Sequence, residues 1–229
     1  MMIFTTVPLA IINLFIFTTL FTYFWIVKQM NASKTVGMLI AVWLIFQAIL
    51  GQVGFYEVNN TIPPRFVLMV MPPILFIILL FNTKNGKTYI DGLDLKKITL
   101  LHVIRIPVEI VLFGLFTVKL VPQLMTFEGA NFDLFSGISS ILVYFLILKK
   151  ANFNKALMVI WNVVCLIFLL IIVAIAILSA PSPFQQLAFD QPNIGVLHFP
   201  FNWLPSFIVP VVLFCHLAAL RKLILNKFN

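Results

Sequence analysis

Charge is what this sequence has least of. Only 10% of its 229 residues are Asp, Glu, Lys or Arg, against about a quarter in a soluble domain, so it cannot clothe a water-facing surface. Cysteine is scarcer still. Cys165 and Cys215 both lie in apolar runs, which excludes a disulfide framework and a CxxC redox pair. The catalytic signatures GxSxG, P-loop, dinucleotide fingerprint, HExxH and CxxCH are missing, as is a CaaX box. The last apolar run holds no lysine, so an opsin-type Schiff base has no anchor there. The opening MMIFTTVPLAIINLF has neither a basic leader nor a small-residue cleavage site, so it is expected to stay as a first helix rather than leave as a signal peptide.

What remains is apolar: 62% of the chain is hydrophobic, with 25 phenylalanines. Runs of spanning length fall at about 6–27, 36–56, 65–82, 98–120, 134–148, 156–179 and 202–220. The third and fifth are near the lower limit for crossing about 30 Å of hydrocarbon. The connections after runs one, three and five, with the C-terminus, hold twelve of the fifteen basic residues. Those after runs two, four and six carry Glu57, Glu128, Asp133 and Asp190 but only Arg65 and Lys119. Such alternation is the positive-inside pattern. The expected fold class is therefore all-α: a polytopic integral membrane protein with seven transmembrane helices, N-terminus outside and C-terminus cytoplasmic. Residues 1–229 form one domain, expected in the plasma or bacterial inner membrane. Tyr23, Trp25, Tyr56 and Trp203 are expected near the interfaces; Trp43 and Trp161 lie deeper. The net charge of +8 then lines a membrane rim against anionic lipid. No nucleic-acid module accompanies it.

The stretch HVIRIPVE breaks the pattern by putting ionisable groups inside the fourth run. His102, Arg105 and Glu109 are spaced i, i+3, i+7 on one helix face. A charge at the bilayer centre costs about 2.5–3.5 kcal/mol on insertion scales. The spacing predicts an Arg105–Glu109 ion pair, which serves either as a structural clamp or as part of a working site. His216 near the end of run seven, Asn162 in run six and Tyr144 in run five fall at similar depth. Together with His102, Arg105 and Glu109 they form a candidate intramembrane polar site. Two facing histidines could also ligate haem or a metal ion, although the sequence requires no cofactor.

On the outer side, Glu57, Arg65, Glu128, Asp133, Asp190 and His198 form a candidate charged vestibule. Residues 180–201, with PFQQLAFDQPN, read as an extracytoplasmic interfacial loop or short helix. Asn59-Asn60-Thr61 fits a glycosylation sequon. A search for internal duplication finds only prolines recurring in the third and seventh runs. Three function classes fit. The leading one is a small transporter or channel for a solute or ion, coupled to protons through the Glu/His/Arg cluster. The others are an intramembrane haem or metal enzyme using His102 and His216, and a non-catalytic sensor or accessory subunit. The expected partners are membrane lipids and a small solute, ion or proton.

Overall fold

Four helices start where a short polar side chain caps a free amide. Ser33 accepts from the Val36 N–H, Thr83 from Gly86, Asp94 from Lys96 and Asn154 from Leu157, each satisfying a donor the helix itself leaves open. The computed structural model describes residues 6–58, 60–148 and 154–227, with no strand among them. The helices are α1 (Leu9–Gln29), α2 (Lys34–Gln52), α3 (Val67–Asn82), α4 (Lys84–Gly92), α5 (Leu95–Thr117), α6 (Asp133–Val143), α7 (Lys155–Ser179) and α8 (Leu204–Ile224). A π turn over Tyr144–Leu148 continues α6. Part of the basic connection, residues 149–153, and the sequon residue Asn59 lie outside the described residues.

Each of the seven expected runs contains a helix, but the helices are not equivalent. Five of them (α1, α2, α5, α7 and α8) are long and apolar enough to cross a membrane, and the α3–α4 pair makes a sixth if it counts as one span. α6 is too short to do so. α3 and α4 meet at 89°. Gly86 permits that bend: a Cβ there would sit 2.2 Å from the Leu80 carbonyl oxygen, so only glycine lets α4 fold back against the end of α3.

The start of α6 lies deep along the bundle. Asp133, its first residue, meets Arg105, which stands ten residues into α5, about 15 Å along the axis at 1.5 Å per residue. The chain reaches that point by descending beside α5. Phe127 stacks on Phe113 at 5.0 Å, Asn131 bonds Glu109, and Asp133 bonds Arg105, one helical turn lower at each step. Gly137 lets α6 press against α5, since a Cβ would meet Ile106 Cγ1 at 2.8 Å. Residues 180–200 close over this descent with irregular backbone and a single 3-10 turn, Gly195–Leu197. Ile194 and Gly195 donate to the Leu120 carbonyl, and Gln191 donates to those of Phe116 and Val121.

The prolines explain two irregularities. Pro107 has no N–H to offer the Val103 carbonyl, and the turn just before it, Leu101–Ile104, tightens to 3-10 geometry. Pro210 likewise leaves the Ser206 carbonyl free, and Trp43 Nε1 donates to it at 2.9 Å. Trp161 Nε1 donates to Ser139 Oγ at 2.9 Å, so both deep tryptophans join helices. Tyr56 is fully buried rather than at an exposed interface, with its hydroxyl donating to Gln47 Oε1.

At the lysine-rich end, Asp91 of α4 ties the C-terminal end of α8. Arg221 Nε and Nη2 donate to its two carboxylate oxygens at 2.9 and 3.1 Å, and Lys227 Nζ adds a third bond at 2.5 Å. The Arg221 guanidinium is the main influence holding the Asp91 carboxyl below its usual range. This contact stabilises the fold at neutral pH and is lost as pH falls through that lowered value. Asp91→Asn is expected to cost about 1–3 kcal/mol, read as a lower melting temperature in detergent; an unchanged melting temperature at pH 7 would show the tie to be idle.

Candidate functional site

Arg105, Glu109, His102, His216 and Asn162 are all buried, none more than 2% exposed. Five of the six residues expected at the interior site are therefore gathered in the bundle between α5, α7 and α8. Tyr144 is not among them. It stands in the π turn with its ring edge-on to Phe145 and bonds none of the group among the described residues.

The pairing differs from the expectation. Arg105 does not pair with Glu109; its Nη2 donates to Asp133 Oδ1 and, at 3.4 Å, to the Cys165 carbonyl. Asp133 is thus a partner of the interior arginine rather than a vestibule residue, because α6 starts at the depth of Arg105. Glu109 Oε1 instead accepts from Asn131 Nδ2 at 2.5 Å. Asn131 is the second hub: its Nδ2 also donates to the Met125 carbonyl at 3.0 Å, while its Oδ1 accepts from the Asp133 N–H at 3.0 Å.

The second face of the arginine sets a histidine tautomer. Asn162 Nδ2 donates to the Met158 carbonyl at 2.9 Å, which turns its Oδ1 towards His216 Nδ1 at 3.0 Å. His216 Nδ1 therefore carries the proton, and Nε2 accepts from Arg105 Nη1 at 3.2 Å. His102 lies flat on His216, with ring centroids 4.0 Å apart and planes at 23°, and Trp161 meets His102 edge-on at 5.5 Å.

That arrangement does not fit axial haem ligation by the two imidazoles. Both nitrogens of His216 are engaged, and the rings stack instead of facing each other across an iron. Among the described residues, no group of three or more His, Cys, Asp or Glu side chains converges to hold a metal. The group is instead a continuous polar chain, Glu109–Asn131–Asp133–Arg105–His216–Asn162. Three buried atoms in and beside it have no hydrogen-bond partner among the described residues: His102 Nδ1, Arg105 Nε and Glu109 Oε2.

The outer residues converge only in part. His198 Nδ1 lies 3.2 Å from Glu57 Oε1. Arg65 donates to the Phe55 carbonyl and stacks 4.7 Å over the Phe55 ring, which brings it to the same short 3-10 segment, Phe55–Glu57. Glu128 and Asp190 are exposed and form no ion pair among the described residues, so a single six-residue vestibule does not form. Burial pushes His198 down, and the Glu57 carboxylate only partly offsets this.

Residues missed by sequence reasoning are Asn131, Cys165 through its carbonyl, and the Ser139–Trp161 bond. Asp133, expected in the outer vestibule, stands with the interior group instead. Its position directly before the apolar run LFSGISSILV was the available signal, because Arg105 needs a compensating acid and Asp133 opens the run that follows.

Residues 62–224 match the family described as Domain of unknown function (DUF8737). The match covers most of the chain, and the protein belongs to that family. No curated protein and no solved structure matches it.

Breaking the central pair leaves a buried charge, so Arg105→Met and Asp133→Leu are each expected to cost about 3–5 kcal/mol, and the double variant less than their sum. Unfolding titrations of the four proteins measure this; additive losses would mean that the two side chains do not act as a pair. For His198 the sign follows from its lowered value. The unfolded chain takes up the proton first, so stability falls as pH drops from its ordinary value of about 6.5 towards the lower folded one. Melting temperatures between pH 7.5 and 5.5 should decline less in His198→Gln than in the parent; parallel declines would assign the effect elsewhere.

Proposed function

We propose that this protein is a membrane carrier for a small solute or ion, coupled to proton movement through Arg105, Asp133 and Glu109. The observation that carries the reading is the guanidinium of Arg105, buried in the bundle and held at once by a carboxylate on α6 and an imidazole on α8. Intramembrane ionisable groups are expensive, and they mark proton and solute pathways. Asp133 and Glu109 offer Arg105 two alternative carboxylates, the second one helical turn away on its own helix. Protonation of Asp133 would release Arg105 towards Glu109 and free α6 to move. Buried atoms without a partner among the described residues, Glu109 Oε2 among them, are where a water or solute would engage.

The threading that goes with this reading has seven crossings, N-terminus outside and C-terminus in the cytoplasm. In it the sixth helix crosses only in part, and residues 121 to 132, irregular but for the 3-10 turn Gln123–Met125, complete the passage. Such backbone at membrane depth is tolerated where protein buries it or a cavity accepts it, and carriers build their sites at such breaks. The lysines favour this sidedness. Lys34, Lys84 and Lys155 stand at the first position of α2, α4 and α7, where the helix dipole disfavours a cation by about 0.3–1 kcal/mol. Helix stability does not account for their placement, whereas retention of positive charge on the cytoplasmic side does.

The test is proton flux into liposomes carrying the purified protein, followed with an internal pH dye across imposed proton and solute gradients. Glu109→Gln and Asp133→Asn are expected to cut flux at least about tenfold, a loss of the size seen when a positioned proton-transfer group is removed, while the proteins stay monodisperse. Flux equal to that of empty liposomes for the parent protein would sink the carrier reading, and undiminished flux in both variants would remove these carboxyls from the path.

A further inference from the structure

A cleft lined mainly by apolar side chains lies away from the polar chain. It measures about 780 Å³, within the range of small-ligand pockets, and opens between α2, α3, α4 and α8. Val36, Ile40, Phe76, Val211 and Phe214 form its walls. Trp43 and Ser206 lie at its deep end, joined by the 2.9 Å bond that Pro210 makes possible. Ser33, Thr83 and Asn85 line the other end, which is the lysine-rich end of the bundle. From Ser33 to Trp43 is ten residues, about 15 Å along the helix axis, or half of a hydrocarbon core about 30 Å thick. The cleft has the depth of one leaflet.

Its mouth carries positive charge from two sources. Ser33 and Thr83 are the caps of α2 and α4, so two helix amino termini meet there with backbone N–H groups and positive dipole ends. Lys34 follows Ser33, Lys84 falls between Thr83 and Asn85, and Lys87 follows Gly86. None of these three lysines is in an ion pair among the described residues. The acid nearest in sequence, Asp91, is already held by Arg221 and Lys227. Lysines at helix amino termini raise the local positive potential instead of relieving it, and an anion between them relieves both.

We infer that this cleft is a binding site for one anionic phospholipid of the lysine-side leaflet, with an acyl chain against Ile40 and Phe214 and its phosphate between the amino termini of α2 and α4. The inference rests on the chain being membrane-embedded and is independent of whether it transports anything.

Native mass spectrometry of the protein in mild detergent tests it, with phosphatidylglycerol and phosphatidylcholine of identical chains as probes. The parent should retain one phosphatidylglycerol per chain, in about tenfold preference, as expected for several lysines near a lipid surface. The triple change Lys34→Gln, Lys84→Gln and Lys87→Gln should abolish the preference yet still admit a lipid. Val36→Trp, or Ile40→Trp where the first does not fold, should fill the cleft and remove retention of both lipids at unchanged melting temperature. Equal retention of the two lipids by the parent overturns the anionic site. Retention of phosphatidylglycerol by the folded tryptophan variants overturns the cleft as its location, as does a co-purifying polypeptide that those variants release.

Discussion

A guanidinium in an apolar bundle has to be answered by a fixed negative charge, and much of the architecture follows from the answer to Arg105. The nearest acid in sequence, Glu109, is not used. The carboxylate that reaches it belongs to Asp133, so α6 has to begin at the depth of Arg105 rather than at the end of the bundle. The chain before α6 must then descend with only one 3-10 turn, Gln123–Met125, and its remaining polar groups need other partners. Asn131 engages three groups at once, the Met125 carbonyl of the descent, the Asp133 N–H that opens α6 and the Glu109 carboxylate of α5. Above the descent, Gln191, Ile194 and Gly195 bond carbonyls at and just past the end of α5. Gly137 keeps α6 close enough for the pair to form.

A second constraint comes from groups that proline leaves unsatisfied. In a helix packed against lipid, a carbonyl released from its i→i−4 bond has no water to turn to. The Ser206 carbonyl is taken by Trp43 and thereby joins α2 to α8. Elsewhere polar side chains close on their own helix: Thr18, Thr19 and Thr22 of α1 bond back to carbonyls four residues earlier. The stability of the bundle thus depends on local satisfaction of polar groups as much as on apolar contact, consistent with the weak hydrophobic drive between helices in lipid.

The sequence makes the helices legible and their pairing much less so. Apolar runs locate every main helix, because helix length and hydropathy are local properties. The depth shared by His102, Arg105, Asn162 and His216 is also readable, since counting from basic helix ends measures distance along an axis. The partner of Arg105 is not readable in the same way. Spacing favours Glu109, and only the start of α6 inside the bundle lets Asp133 win. The vestibule fails for a related reason. Acids on separate loops share a side of the protein without sharing a place, and of the six only Glu57 and His198 form a pair, with Arg65 beside them through Phe55. Trp43 and Trp161 had no evident role in the sequence, because their acceptors lie 163 and 22 residues away.

The order of residues along the chain has a consequence for how the protein is made. Arg105 precedes Asp133 by 28 residues, so during synthesis the arginine leaves the ribosome before its counter-ion does. α5 must hold an uncompensated cation until the following segment arrives. The ion pair can form only once both segments have been made, so it belongs to the assembly of the bundle and not to the initial placement of α5.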